Sequence, residues 1–300
     1  MATAVVLGGC GLDPVSPNPP EQLIIQALLQ PGHPIDNIRL TRTMPPESYY
    51  AGIPQALVSG ATVVLYHESR TDTLAEIAPG IYGDPTIMAR SGVTYRVEVT
   101  FEDFVLRAET TIPEKLEFTS VTAVSGSQYI PSADTLIFPR EYADPDQFPP
   151  QGNIPAKPVT IYWDSVPGAT GYEFAAIAVD TTGPEFLRKD AYEDWLSGDY
   201  ATAKSREWTR MTKYPAFPGY TEADVLWAAF NYRGDHEIVL RARDRNYNDF
   251  AQTVSGTSSG NDYDTGTVMY VEGGIGLFGS FSSDTLRIHV IAEWLPSENL

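Results

Sequence analysis

The sequence predicts an all-β chain: two immunoglobulin/fibronectin-III-like β-sandwich domains, the second carrying a short helical insert. Three observations point there. Short runs alternating apolar and polar residues recur along the chain, the mark of half-buried strands. Turn residues separate them, with 24 Gly and 24 Pro, and in the first block they recur at about 8–12 residues, the spacing of a sandwich. Apolar residues make up 42% of the chain and aromatics 11%, enough to fill sizeable cores, whereas a disordered chain would be charged and weakly apolar. A length of 300 residues fits about two domains, and the expected boundaries are 1–20, 21–113 and 114–300.

The first twenty residues read as an address. Small and apolar residues from Ala2 lead to Leu7-Gly8-Gly9-Cys10, and Cys10 is the only cysteine. This is the pattern of a bacterial lipobox, in which the cysteine is acylated, so lipidation is expected at Cys10. The signal reads as truncated: no Lys or Arg precedes Cys10, and the apolar core is shorter than the roughly 7–15 residues of a secretory signal. The competing reading makes Ala4 to Leu7 a buried strand. Asp13-Pro-Val-Ser-Pro-Asn-Pro-Pro20 argues for a tether, because prolines fix the backbone and remove donors, giving a stiff extended spacer.

Residues 21–113 hold about seven expected strands. Leu23 to Leu29 opens the block. Asn37 to Arg42 alternates, and Ala61 to Tyr66 follows a Ser59-Gly60 turn. Leu74 to Ile77 and Gly80 to Tyr82 flank a Pro79-Gly80 turn. Thr94 to Phe101 is the cleanest alternation in the chain, and Val105 to Thr111 completes the set. Seven short strands with regular turns is the immunoglobulin-like signature.

The second block starts near Glu114. Residues 128–158 are rich in Pro, Asp and Gln and read as a long surface loop. Pro158 to Trp163, a Val-Pro-Gly-Ala turn and Gly171 to Val179 then look like the B–C hairpin of a fibronectin type III module, with Trp163 packing the core and Tyr172 opening the next strand. His236 to Arg243 and Asp284 to Val290 supply later strands. Residues 183–230 read as the helical insert. Pro184 stands in a first turn, where its missing N–H costs nothing. Thr221 and Asp224 have the spacing of a capping box for a second helix. Trp195, Trp208, Tyr214 and Trp227 in this insert are the candidate ligand-binding aromatics, set against a packing role.

Other motifs carry less. Gly274-Ile-Gly-Leu-Phe-Gly279 fits G-x-G-x-x-G, but a turn and a strand follow where a nucleotide site needs a helix. A Gly-rich corner with Leu277 and Phe278 plugging a core is expected, and no cofactor. Asp244-Arg-Asn246-Tyr-Asn248-Asp249 spaces oxygens like the start of a calcium loop, but Asp249 stands where an EF-hand needs Gly and Ser255 where it needs Glu. An Asx-rich turn is the preferred reading. His33, His67, His236 and His289 lie in separate segments, without the paired spacing of a metal site, and the one G-x-S-x-G string, Gly256-Thr-Ser258-Ser-Gly260, follows no apolar strand of the kind that carries a nucleophile elbow. The chain is therefore expected to bind and not to catalyse, with neither catalytic nor metal residues.

With 39 acidic against 20 basic residues the net charge is −19. Nucleic acid and anionic membrane surfaces are poor partners, since both need basic patches. Only 5 of the basic residues are Lys, against 15 Arg.

Taken in order, several segments resemble one family. They are Cys10 with its spacer, Ile38-Arg-Leu-Thr-Arg42, Val58-Ser-Gly-Ala-Thr-Val-Val-Leu65, Gly80-Ile-Tyr82, Gly92-Val-Thr-Tyr-Arg-Val-Glu-Val99 and Glu272-Gly-Gly-Ile-Gly-Leu-Phe-Gly279. They are similar to bacterial envelope lipoproteins of the Bacteroidota type, the uncharacterised domain of unknown function 4249. The likeness covers nearly the whole chain and departs from the family in the helical insert and the short signal. It implies a protein of the outer membrane, anchored by its lipid on the periplasmic or surface face. The implied partner is a TonB-dependent receptor, and the role is accessory. The alternative is a surface carbohydrate-binding or adhesion module that takes a glycan or peptide ligand. The family supplies no catalytic residues.

Overall fold

A computed structural model describes residues 21–44, 56–125, 128–130, 135–139, 157–179, 211–216, 219–230, 232–258 and 267–292. Cys10, the tether, Trp195, Trp208 and the first expected helix, near Pro184, lie outside the described residues.

The fold is all-β and sandwich-like. The first block contains β1 (Leu23–Leu29), β2 (Pro34–Arg42), β3 (Thr62–His67), β4 (Arg70–Ala78), β5 (Ile81–Met88), β6 (Thr94–Phe101) and β7 (Phe104–Thr111). All seven expected strands are present. Their alternation is physical: Leu23, Ile25, Ala27 and Leu29 of β1 are buried, as are Tyr95, Val97 and Val99 of β6, while Thr94, Arg96 and Thr100 between them are exposed. Successive residues of a strand face opposite sides, so one set fills the core and the other meets solvent. Tyr82 is buried with its hydroxyl satisfied, donating to Val58 O at 2.9 Å and accepting from the Ala61 N–H at 2.9 Å.

The second block adds β8 (Phe118–Ser125), β9 (Gln128–Ile130), β10 (Thr135–Ile137), β11 (Val159–Trp163), β12 (Gly171–Ala178), β13 (Met211–Ala216), β14 (Glu222–Val225) and β15 (Gly234–Arg243). Helix α1 (Arg245–Ser258) follows, then β16 (Val271–Glu272) and β17 (Gly274–Ile291). A four-stranded sheet, β14-β11-β8-β9, faces β13-β12-β15 and the second half of β17. Val159, Ile161 and Trp163 from one sheet meet Phe174, Ile238, Leu240 and Val290 from the other in a shared core. β11 and β12 lie in opposite sheets and do not pair, so the expected B–C hairpin is a connection across the sandwich. Trp163 and Tyr172 still meet, with ring centroids 5.2 Å apart.

Several expectations on local structure are corrected. The long loop contains β9 and β10, and β10 pairs in parallel with β17. The helix expected from Thr221 is instead β14, paired antiparallel with β11 from Val159↔Val225 to Tyr162↔Glu222, followed by a single 3₁₀ turn, Trp227–Ala229. Pairing with β11 satisfies the backbone in strand form and outweighs the local capping pattern. The expected Asx turn at 244–249 is the start of α1. Asp244 caps it, its Oδ1 accepting the Tyr247 N–H at 2.9 Å, the usual N-cap bond to the third helical residue.

Strand β17 belongs to both sandwiches. Its first half runs parallel to β1, from Leu23↔Gly274 to Leu29↔Ser280. Its second half runs antiparallel to β15, from Arg243↔Phe281 to Gly234↔Val290. The expected glycine corner is therefore extended strand, and its glycines serve close approach. A Cβ on Gly276, at φ +119, would stand 2.0 Å from Ile25 O. Phe278 is buried in the first core, whereas Leu277 is only half-buried. The cores divide the chain near 113–116, except that Phe278 returns to the first. Among the described residues no helix is long and apolar enough to cross a membrane.

Candidate functional site

The outer face of β3, β6 and β7 is a solvent-facing polar surface whose side chains stand in cross-strand rows. Tyr66 pairs with Arg96 across β3 and β6, and Arg96 with Glu109 across β6 and β7. In the next row Val64 pairs with Glu98, Glu98 with Arg107, and Arg107 with Glu272 of β16. Directly opposed side chains on one face interact, and this sets the electrostatics. Arg107 Nε donates to Glu98 at 2.8 Å, a bond that raises the Arg107 pKa. Arg96 behaves differently. It does not pair with Glu109; its guanidinium lies 4.4 Å from the Tyr66 ring centroid, and it has no ion pair among the described residues.

Helix α1 and the segment before β16 form the opposite wall. Arg245 lies 4.9 Å from the Tyr270 ring centroid and 3.5 Å from Asp249. The Tyr270 hydroxyl donates to Asp249 at 2.7 Å, and this bond raises the Tyr270 pKa. Two surface concavities result, of about 700 and 650 Å³. The first lies by the β3–β4 turn at Glu68 and Ser69 and the second by α1 and Tyr270; Arg96 and Glu109 line both, and the pair makes up the groove.

The wall is held in place from below. Asn246 Nδ2 donates to Glu109 O at 2.6 Å and to Phe278 O at 2.9 Å. Asp244, 4% exposed, accepts from Thr110 Oγ1 at 2.6 Å and from the Ser280 N–H at 3.1 Å. Burial raises its pKa against the pull of those donors. Beneath α1, Glu173 accepts from Arg241 at 2.8 Å and from the Tyr247 hydroxyl at 3.1 Å, with Arg243 at 3.6 Å. Burial pushes the Glu173 pKa up, but the Arg241 bond and the two guanidinium charges outweigh it, and the net direction is down.

The structure relocates several expected site residues. Trp227, a candidate ligand-binding aromatic set against a packing role, is 2% exposed. Its ring packs edge-on against Phe138 at 5.3 Å, so it belongs to the second core and presents no face to a ligand. Tyr214 is placed only as backbone, opposite Phe174 on β13, and its side chain lies outside the described residues. At 244–249 the oxygens cap the helix or bind its neighbours instead of converging on an ion. No group of three or more His, Cys, Asp or Glu suited to a metal occurs among the described residues. His67 is buried, stacked on Tyr95 at 5.4 Å and 2.9 Å from Asp72. His236 is also buried, and desolvation lowers its pKa.

Sequence reasoning missed the groove. The alternation of β6 marks Arg96 as outward-facing, but its row partners follow from strand register, and Arg245 and Tyr270 reach it only through the placement of α1.

Comparison with known proteins gives one family. The model of the domain of unknown function (DUF4249) matches residues 12–287. No curated protein matches. Among solved structures, the FN1–FN3 domains of chicken CNTN1 match at 9% identity and a TM-score of 0.22. That match covers 88% of this chain and 65% of the other, so this chain spans just under two thirds of that one.

Proposed function

Since the chain belongs to the domain of unknown function family DUF4249, matched over residues 12–287, we propose that it is a non-enzymatic binding module of the bacterial cell envelope. In this reading Cys10 carries the lipid, residues 11–20 are the tether, and the sandwiches assist a TonB-dependent outer-membrane receptor or capture a surface ligand. The observation that carries the binding role is the open groove on the first sandwich, where Arg96 is held over Tyr66 and engages no acid among the described residues. An exposed arginine–tyrosine surface suits recognition, because both residue types are enriched where interfaces carry their energy. The membrane role is supported by the lipobox pattern and the proline run that follows it.

Two measurements test this. Palmitate labelling of the full chain in a bacterial host is expected to be lost in Cys10→Ser; labelling that persists removes the anchor. Affinity capture from solubilised envelopes is expected to recover an outer-membrane receptor. Recovery of no envelope component defeats the accessory role.

A further inference from the structure

We infer that the Arg96–Arg107 face binds an extended acidic peptide segment with carboxylates on alternate residues. This rests on the binding-module reading and names the chemistry of its partner.

Arg96 is the anchor. Its N–H donors have no protein acceptor among the described residues, and Tyr66 holds the guanidinium from one side at 4.4 Å. A guanidinium kept in place by a ring loses less freedom when it takes a carboxylate, and it presents a planar fork that matches one. Arg107 is its diagonal neighbour, since Arg96 opposes Glu109 and Glu98 opposes Arg107. Diagonal neighbours stand about 7–8 Å apart. Side chains on one side of an extended peptide repeat at about 6.5–7 Å, so carboxylates at positions i and i+2 meet Arg96 and Arg107 in turn. Arg107 already shares Glu98 and contributes less.

Charge complementarity favours this occupant. The complementarity sits at the anchor: of the arginines lining the groove, Arg70, Arg107 and Arg245 are paired with Asp72, Glu98 and Asp249, which leaves Arg96 as the guanidinium open to a carboxylate from outside among the described residues. A glycan is disfavoured, because Tyr66 and Tyr270 each carry a guanidinium over the ring where a sugar would stack.

Fluorescence anisotropy with the purified chain and a short fluorescein-labelled peptide of alternating Glu and Ser is the test. Saturable binding is expected, weakening with salt as exposed pairs do. Arg96→Gln is expected to weaken it about fivefold, the size of a good exposed ion pair, and Arg107→Gln by less. Arg39→Gln, on β2 and outside the groove lining, is expected to leave it unchanged, and a Gln–Ser peptide should not bind. Thermal melting of each variant controls for folding; Arg96 is exposed, and an unchanged melt is expected. Absence of saturable binding, an unchanged affinity in Arg96→Gln, or preference for oligogalacturonate over the peptide overturns the inference. If the peptide fails while envelope capture still recovers a receptor, the inference alone falls; if the peptide binds while capture recovers nothing, the accessory reading falls instead.

Discussion

Thr110, on β7 of the first sandwich, donates a 2.6 Å hydrogen bond to the buried carboxylate of Asp244, which caps the helix of the second. Ser280 joins them: its backbone N–H donates to Asp244, and the Thr110 hydroxyl lies 2.8 Å from its Oγ. One carboxylate thus ties together two sandwiches and a helix terminus.

Asp244→Ala is expected to cost roughly 3 kcal/mol, combining a lost N-cap with donors left buried and unpaired. Urea unfolding measures it, and a change below the size of a cap alone would contradict the assignment. The pH dependence has a definite sign. Because the folded-state pKa of Asp244 is raised by burial, its contribution to stability is fully present below the unfolded value and is lost as pH rises through the folded one. Asp244→Asn should remove that component of the pH profile.

Glu173 should act with the opposite sign. Its folded-state pKa is lowered from 4.5, so its contribution is present above the unfolded value and lost as pH falls through the folded one. Glu173→Gln leaves Arg241 and Arg243 without their acid and is expected to cost about 3 kcal/mol, in the range of a broken buried pair. Guanidinium denaturation at neutral pH checks the magnitude; the wild-type and variant curves should converge in acid.

Gly276→Ala is expected to destabilise by about 3 kcal/mol, since it adds both a strained positive φ and a backbone clash. The added methyl would meet Ile25 O at 2.0 Å, in the parallel ladder between β1 and β17. Hydrogen exchange along Leu23–Leu29 should rise in the variant, and unchanged protection there would refute the account.

Trp227→Ala is expected to cost roughly 3–5 kcal/mol, the usual penalty for emptying a buried aromatic site. Its melting temperature should fall, and a variant as stable as the parent would mean that the ring is not in the second core.

Much of the β framework was legible because burial and periodicity agree. Leu23–Leu29 and Thr94–Phe101 alternate in sequence and in exposure. The errors arose where a local pattern competed with pairing. Thr221 and Asp224 have capping-box spacing, yet Asp224 accepts from Thr160 at 2.8 Å across the strand pair. Helix α1 was hidden because its residues, Arg-Asn-Tyr-Asn-Asp at the start and Thr-Val-Ser-Gly-Thr-Ser at the end, are mostly weak helix formers. Asp244 as an N-cap was the available signal. The groove was less legible than the fold. That Arg96 faces out is written in the period of β6, whereas its turn toward Tyr66 and away from Glu109 depends on a register that sequence spacing does not encode.

The shared strand β17 also sets an order of events during synthesis. β1 emerges among the first described residues, but its parallel neighbour, from Gly274, emerges some 250 positions later along the chain. Until then the first sandwich has one flank of β1 uncovered and lacks the Phe278 ring in its interior. Pairings between such distant segments slow folding, because the intervening chain must be closed before the contact repays it. The first sandwich therefore completes its closure only when the second supplies the strand, and a nascent chain halted before Gly274 carries an exposed apolar edge for chaperones to guard.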